Sequence, residues 1–328
     1  MSRFDPFSDE QTRALVNLEQ RYRVWIEAER VLASLPYDLR RKDIDGRHYL
    51  YEIDDRGGNG RSLGPWSADN ARKFEAYREA KTQAKARRDN YRATAAESAR
   101  LARALRLPLL ASPAGEILRE ADRRSLLGSH VLVVGTNAMA AYMAEAGGFL
   151  RDAPDETNDF DMAWSAIEGE QKEQTLWNLL KAVDPTYTVN TERPFQALNA
   201  KAYEVEILVA PSRAATMFQT DKPQPVPLPE QEWLLLGRTV DHVVPTRDGD
   251  AARIVAPDPR WFALHKLWMS RQPKRNPLKR RKDEAQGRAL LDAVAKAMPQ
   301  YPLDEAFVAE LPAELGPHYA AWKAGAET

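Results

Sequence analysis

Residues 131–164 read VLVVGTNAMAAYMAEAGGFLRDAPDETNDFDMAW. An apolar, β-type run ends at Gly135-Thr136, and a helical pattern follows it. A polar loop then leads into Thr157-Asn158-Asp159-Phe160-Asp161. Residues two apart on a strand share one face. Asp159 and Asp161 are therefore expected to project together, with Phe160 and Met162 turned to the core. Two adjacent carboxylates repel each other unless a cation lies between them, and hard oxygen ligands of this kind suit Mg²⁺ or Mn²⁺.

A further strand is expected at Tyr203-Glu204-Val205-Glu206-Ile207-Leu208-Val209. Glu204 and Glu206 share a face of it, so spacing alone does not separate them. Gly135-Thr136 would open a helix whose free backbone N–H groups attract phosphate. An ordinary strand-to-helix turn has the same local sequence. Near the C-terminus, Trp261-Phe262-Ala263-Leu264-His265-Lys266-Leu267-Trp268 reads as a largely buried helix. There His265 is better explained as a structural histidine than as a ligand, and Lys266 can reach a nucleotide phosphate.

Strand, Gly-Thr, helix, Asp-x-Asp and a later carboxylate strand together resemble the nucleotidyltransferase superfamily, the polymerase-β-like fold. The closer resemblance is to a bacterial group with a helical N-terminal region and a C-terminal His-Lys-Leu helix. The resemblance implies catalytic and metal-binding roles for Asp159, Asp161 and Glu206, since Val-Glu-Ile-Leu matches the family's Val-Asp-Leu-Leu strand. Glu206 stands where Asp is usual, one methylene longer. Gly135, Thr136 and Lys266 would bind the nucleotide. The activity implied is metal-dependent transfer of a nucleoside monophosphate from an NTP to a hydroxyl of an RNA end, a protein or a small molecule. Glu at the third corner also leaves open a non-catalytic protein that binds nucleic acid or a partner. A toxin–antitoxin or defence component is a further option.

Composition bounds these readings. A chain of 328 residues with 43% hydrophobic content supports two domains, or one with a large appendage. The formal net charge is −1, so only local clustering can point to nucleic acid. Arg271 to Lys282 (RQPKRNPLKRRK) is such a cluster, with seven basic residues and no acidic one. It suits RNA or another phosphate backbone, or is a solvated loop. The absence of cysteine excludes disulfides, thiolate metal sites and Cys nucleophiles. The polar N-terminus and the lack of a bilayer-length apolar run point to a cytoplasmic protein without a membrane partner.

The expected fold is α+β. A small mixed sheet over 119–215 forms the nucleotidyltransferase core. It follows a mainly helical region over 1–118 with a β-hairpin, and precedes a linker, short strands and helices over 216–328. Helices are expected at 9–35, ended by Pro36, and at 68–106, which contains no Pro or Gly. With Tyr77 and Tyr91 the second can line a nucleic-acid path, or is simply a soluble helix. The hairpin spans 48–67, and further helices are expected near 114–127 and 168–182. Short strands are expected over 232–256, and a last helix opens at Lys282-Asp283.

Overall fold

The computed structural model describes residues 4–154, 157, 159–167, 175–217 and 219–326. Asn158 and the first part of the helix expected near 168–182 lie outside the described residues. The chain divides into two compact units, residues 20–97 and residues 1–19 with 98–328.

The chain opens with β1 (Phe4–Pro6) and α1 (Asp9–Ser34). Ser8 and Gln11 exchange hydrogen bonds between side chain and backbone, a reciprocal cap on α1. In the unit 20–97, β2 (Asp38–Ile44), β3 (Arg47–Ile53) and β4 (Gly60–Pro65) make an antiparallel sheet in that order. The hairpin is therefore a three-stranded sheet. Strand β2, DLRRKDI, buries only Leu39, too little alternation to read as a strand. The long helix α2 (Ala68–Ala104) follows, with Ser67 accepting a hydrogen bond from the Asn70 N–H. Tyr77 is buried with Leu39 and Leu50, and its hydroxyl donates to the Pro36 carbonyl at 3.1 Å. Tyr77 is thus a core residue and lines no nucleic-acid path.

In the other unit, α3 (Ser112–Arg123) buries Ile117, Leu118 and Ala121. The fully buried β5 (Val131–Val134) comes next. A 3₁₀ turn at Gly135–Ala138 leads into α4 (Met139–Ala146). The chain continues through β6 (Gly148–Leu150), β7 (Asp159–Trp164), α5 (Thr175–Val183), β8 (Thr188–Val189), β9 (Gln196–Leu198) and β10 (Glu204–Val209). Five of these strands form one mixed sheet in the order β5-β7-β10-β9-β8, with β7 and β10 parallel. Strict alternation builds it. Phe160 and Met162 on β7 and Val205, Ile207 and Val209 on β10 are buried on one face, which leaves the acidic residues of both strands to the other.

Short α6 (Pro211–Ala214) and a 3₁₀ segment, Pro229–Leu235, cross the proline-rich stretch. The latter occupies the first residues expected as strand. Then come the hairpin β11 (Val240–Pro245) and β12 (Ala251–Ala256), followed by α7 (Pro259–Ser270), α8 (Pro277–Ala297), α9 (Glu305–Ala309) and α10 (Gly316–Ala326). Helix α8 starts five residues before Lys282, because Asn276 caps it by accepting from the Leu278 N–H and Pro277 fits the first turn. Among the described residues no helix is long and apolar enough to cross a membrane.

Candidate active site

The parallel register of β7 and β10 sets Glu206 beside Asp161 and Glu204 beside Asp159. Neighbouring strands lie about 4.8 Å apart, so these carboxylates crowd one face of the sheet. Burial pushes the Asp161 carboxyl up to about 7, and the charges of Asp159 and Glu206 add to it against the pull of Lys266 and Lys279. Burial, then the charge of Asp159, also raises Glu206, against a hydrogen bond from Gln196 and the nearby Lys279 and Arg275. Asp159 behaves differently. Burial opposes its ionisation, but the Thr157 hydroxyl donates to it and Lys279 Nζ lies 3.4 Å away, and together they hold it below its ordinary value.

Gly135 touches this group directly. Its φ is +67°, and a Cβ built there would lie 2.0 Å from Asp161 Oδ2. Both the left-handed backbone and the carboxylate packed on its Cα demand glycine. Thr136 is placed elsewhere. It is 7% exposed, its hydroxyl accepts from Gln286 Nε2 at 3.4 Å, and it lines a small separate hollow with Asn137 and Arg247. Asn137 Nδ2 donates to the Asp159 carbonyl at 2.9 Å, tying the 3₁₀ turn to the start of β7.

A cleft joins these elements to α7 and α8. Gly135, Asp161 and Glu206 lie on its acidic side, and Lys266, Arg275 and Lys279 supply its basic side. Of the two glutamates facing this way on β10, Glu206 lines the cleft. Lys266 is buried, and its Nζ donates to Asp283 Oδ1 at 2.9 Å. Arg275 Nε donates to the other oxygen of Asp283 at 2.8 Å. Asp283 is 1% exposed. Burial alone would raise its carboxyl, but the two cations hold it below its usual range. Sequence reading missed Asp283 as the residue that fixes two cations in the cleft; the only signal was an acid ending a basic run.

The basic run itself turns largely onto the protein. Besides Arg275 and Lys279, Arg271 pairs with Glu284 at 3.3 Å, and Arg280 donates to the carbonyls of Arg275 and Pro273. His265 also lines the cleft. Burial, with Lys266 beside it, pushes its imidazole down to about 3, so the ring is neutral. It sits 6.2 Å from the Trp233 ring and 6.3 Å from that of Trp268.

Among the described residues, no group of three or more His, Cys, Asp or Glu side chains is arranged to hold a metal ion as it stands. Asp159 is engaged by Thr157 and Lys279 instead.

A family model described as nucleotidyltransferase matches residues 112–311, more than half of the chain. The chain belongs to this nucleotidyltransferase family. The matched span contains Gly135, β7, β10, Lys266 and Asp283, so the whole cleft lies inside it. As a nucleotidyltransferase the protein is a transferase of phosphorus-containing groups with an NTP substrate, in a class that generally uses divalent metals. No curated protein and no solved structure matches the chain.

Proposed function

We propose that the cleft is the nucleotidyl-transfer site, with Asp159, Asp161 and Glu206 as catalytic, metal-holding carboxylates and a hydroxyl as acceptor. One observation carries this reading: Asp161, packed on Gly135, and Glu206 line one cleft opposite Lys266, Arg275 and Lys279, and Asp159 adds its charge to both carboxylates from the same strand face. The donor set fits Mg²⁺ or Mn²⁺, because ionised carboxylates are acceptor-only and two of these three are raised by burial and by the charge of their neighbours. A divalent cation there supplies Lewis-acid stabilisation of charge on the reacting and leaving phosphates.

The chain's own residues supply the rest. Lys279 and Arg275 attract the polyphosphate, and Lys266 adds positive potential from a position locked by Asp283. Gly135 would contact the nucleotide through its backbone, since the place of a Cβ there is taken by Asp161 Oδ2. Thr136, directed to Gln286, supports the turn. The run Arg271–Lys282 serves the nucleotide first. Lys274 and Arg281 remain exposed with no side-chain partner among the described residues, which makes RNA the acceptor to test first.

The test is incubation with each α-labelled NTP, Mg²⁺ or Mn²⁺ and total RNA, followed by a search for labelled RNA or self-labelled protein. Label that the Asp159→Asn, Asp161→Asn double variant abolishes supports the reading. Undiminished labelling by that variant places the chemistry elsewhere.

A further inference from the structure

Charge is only part of the chemistry in this cleft. Leu208, Leu228, Leu234 and Phe262 also line it, an apolar surface that neither a triphosphate nor a metal ion requires. Two polar side chains interrupt that surface, Gln231 and His265, 4% and 7% exposed. Among the described residues, Gln231 Oε1 and both ring nitrogens of His265 have no hydrogen-bond partner. Leaving a buried polar group unpaired costs about 1–3 kcal/mol, so native proteins rarely do so without a use for it. The backbone N–H of Gln231 donates to the Leu228 carbonyl at 3.0 Å, and the His265 ring packs against the touching pair Trp233 and Trp268.

We propose that this side of the cleft is a nucleobase subsite selective for the adenine of ATP, with Gln231 and His265 reading the base. The proposal rests on the nucleotide-binding reading above and names its substrate. A carboxamide offers one acceptor and one donor in a plane, and a neutral imidazole offers one of each. Adenine presents an exocyclic amino donor beside a ring-nitrogen acceptor, the pattern that Gln pairs with in bidentate fashion. Glu230 adds a carboxylate to the same lining. That carboxylate opposes the carbonyl oxygens of uracil and the O6 of guanine. Cytosine has the adenine pattern but a single ring, and it leaves more of the apolar surface uncovered.

The experiment is calorimetric titration of the full-length protein, in Mg²⁺, with ATP, GTP, CTP, UTP and tripolyphosphate. ATP is expected to bind at least about ten-fold tighter than UTP, the discrimination that about 1.4 kcal/mol of base hydrogen bonding gives. Gln231→Leu, similar in size, should bring ATP close to UTP, with tripolyphosphate as the control for the phosphate end. Equal affinity for all four nucleotides, tightest binding of another nucleotide, or an undiminished ATP preference in Gln231→Leu would overturn the subsite. If neither nucleotide nor tripolyphosphate binds, the nucleotide site itself fails, a result distinct from loss of base selectivity. The wild-type comparison decides the matter even if the variant does not fold.

Discussion

Asp283 and Asp161 are both carboxylates set into one cleft, and the fold treats them in opposite ways. Asp283 has a cation on each oxygen, Lys266 at 2.9 Å and Arg275 at 2.8 Å, and is held ionised. Asp161 has carboxylates on both sides, at Asp159 and Glu206, and is pushed towards its neutral form. A buried charge that is paired and hydrogen-bonded belongs to the structure. A buried charge crowded by like charges is tolerated where something else will neutralise it. On this basis Lys266, Arg275 and Asp283 form a compensated structural unit, and Asp161 is the uncompensated group that the proposed metal would neutralise.

The strongest test of that contrast removes the finished unit. Asp283→Ala leaves Lys266 buried without its partner and Arg275 without its anchor. Breaking a buried pair from one end costs about 3–5 kcal/mol. Urea unfolding should show a loss of that order for Asp283→Ala. A loss below about 1 kcal/mol would mean that the two cations find other partners, and that Asp283 does not organise this side.

His242 sharpens the comparison, because here the compensating cation is itself titratable. Its Nε2 meets Glu145, its Nδ1 lies 3.5 Å from Glu19, and Gln300 donates to Glu145 at 2.6 Å. Burial works against the charged ring, but the two glutamates raise it to about 9. A histidine raised in the folded state stabilises fully below its ordinary value near 6.5, and that contribution fades as pH rises through 9. Wild type should therefore exceed His242→Gln in melting temperature most at pH 6, by about 1–3 kcal/mol of stability. The gap should close by pH 9.5. A gap that stays constant with pH would assign the loss to packing rather than to the ion pairs.

These contrasts also explain what the sequence revealed. The strand of Asp159 and Asp161 was legible because a period of two, a glycine turn and a flanking apolar run are all local signals. The mixed α+β character and the family followed from the same stretch, as the match over residues 112–311 shows. Strand β2 was not legible, since one buried leucine in seven residues leaves no pattern. The partners of the basic run were not legible either. Charge composition records the sign of Arg275 and Lys279, but their partners Asp283 and Asp159 depend on where α8 begins and what it packs against. Gln231 and the Lys266–Asp283 pair come together only when segments distant in sequence close one cleft.

The smallest expected effect on stability belongs to Asp161, and it separates the two sides most sharply. Asp161→Asn keeps the shape beside Gly135 and removes one of three repelling charges. Near neutral pH the variant should be as stable as wild type or more stable by up to about 1 kcal/mol, since like-charge crowding is relieved. Its response to ligand should differ. Mg²⁺ with ATP is expected to raise the melting temperature of wild type, because a ligand that binds only the folded state stabilises it, and the variant should lose most of that rise. Thermal melts of both proteins, with and without Mg²⁺ and ATP, make the measurement. If Asp161→Asn instead loses several kcal/mol without ligand, as expected for Asp283→Ala, its carboxylate is a structural element like Asp283. The contrast between the two sides of the cleft would then fail, and the metal-holding role proposed for Asp161 would lose its electrostatic basis.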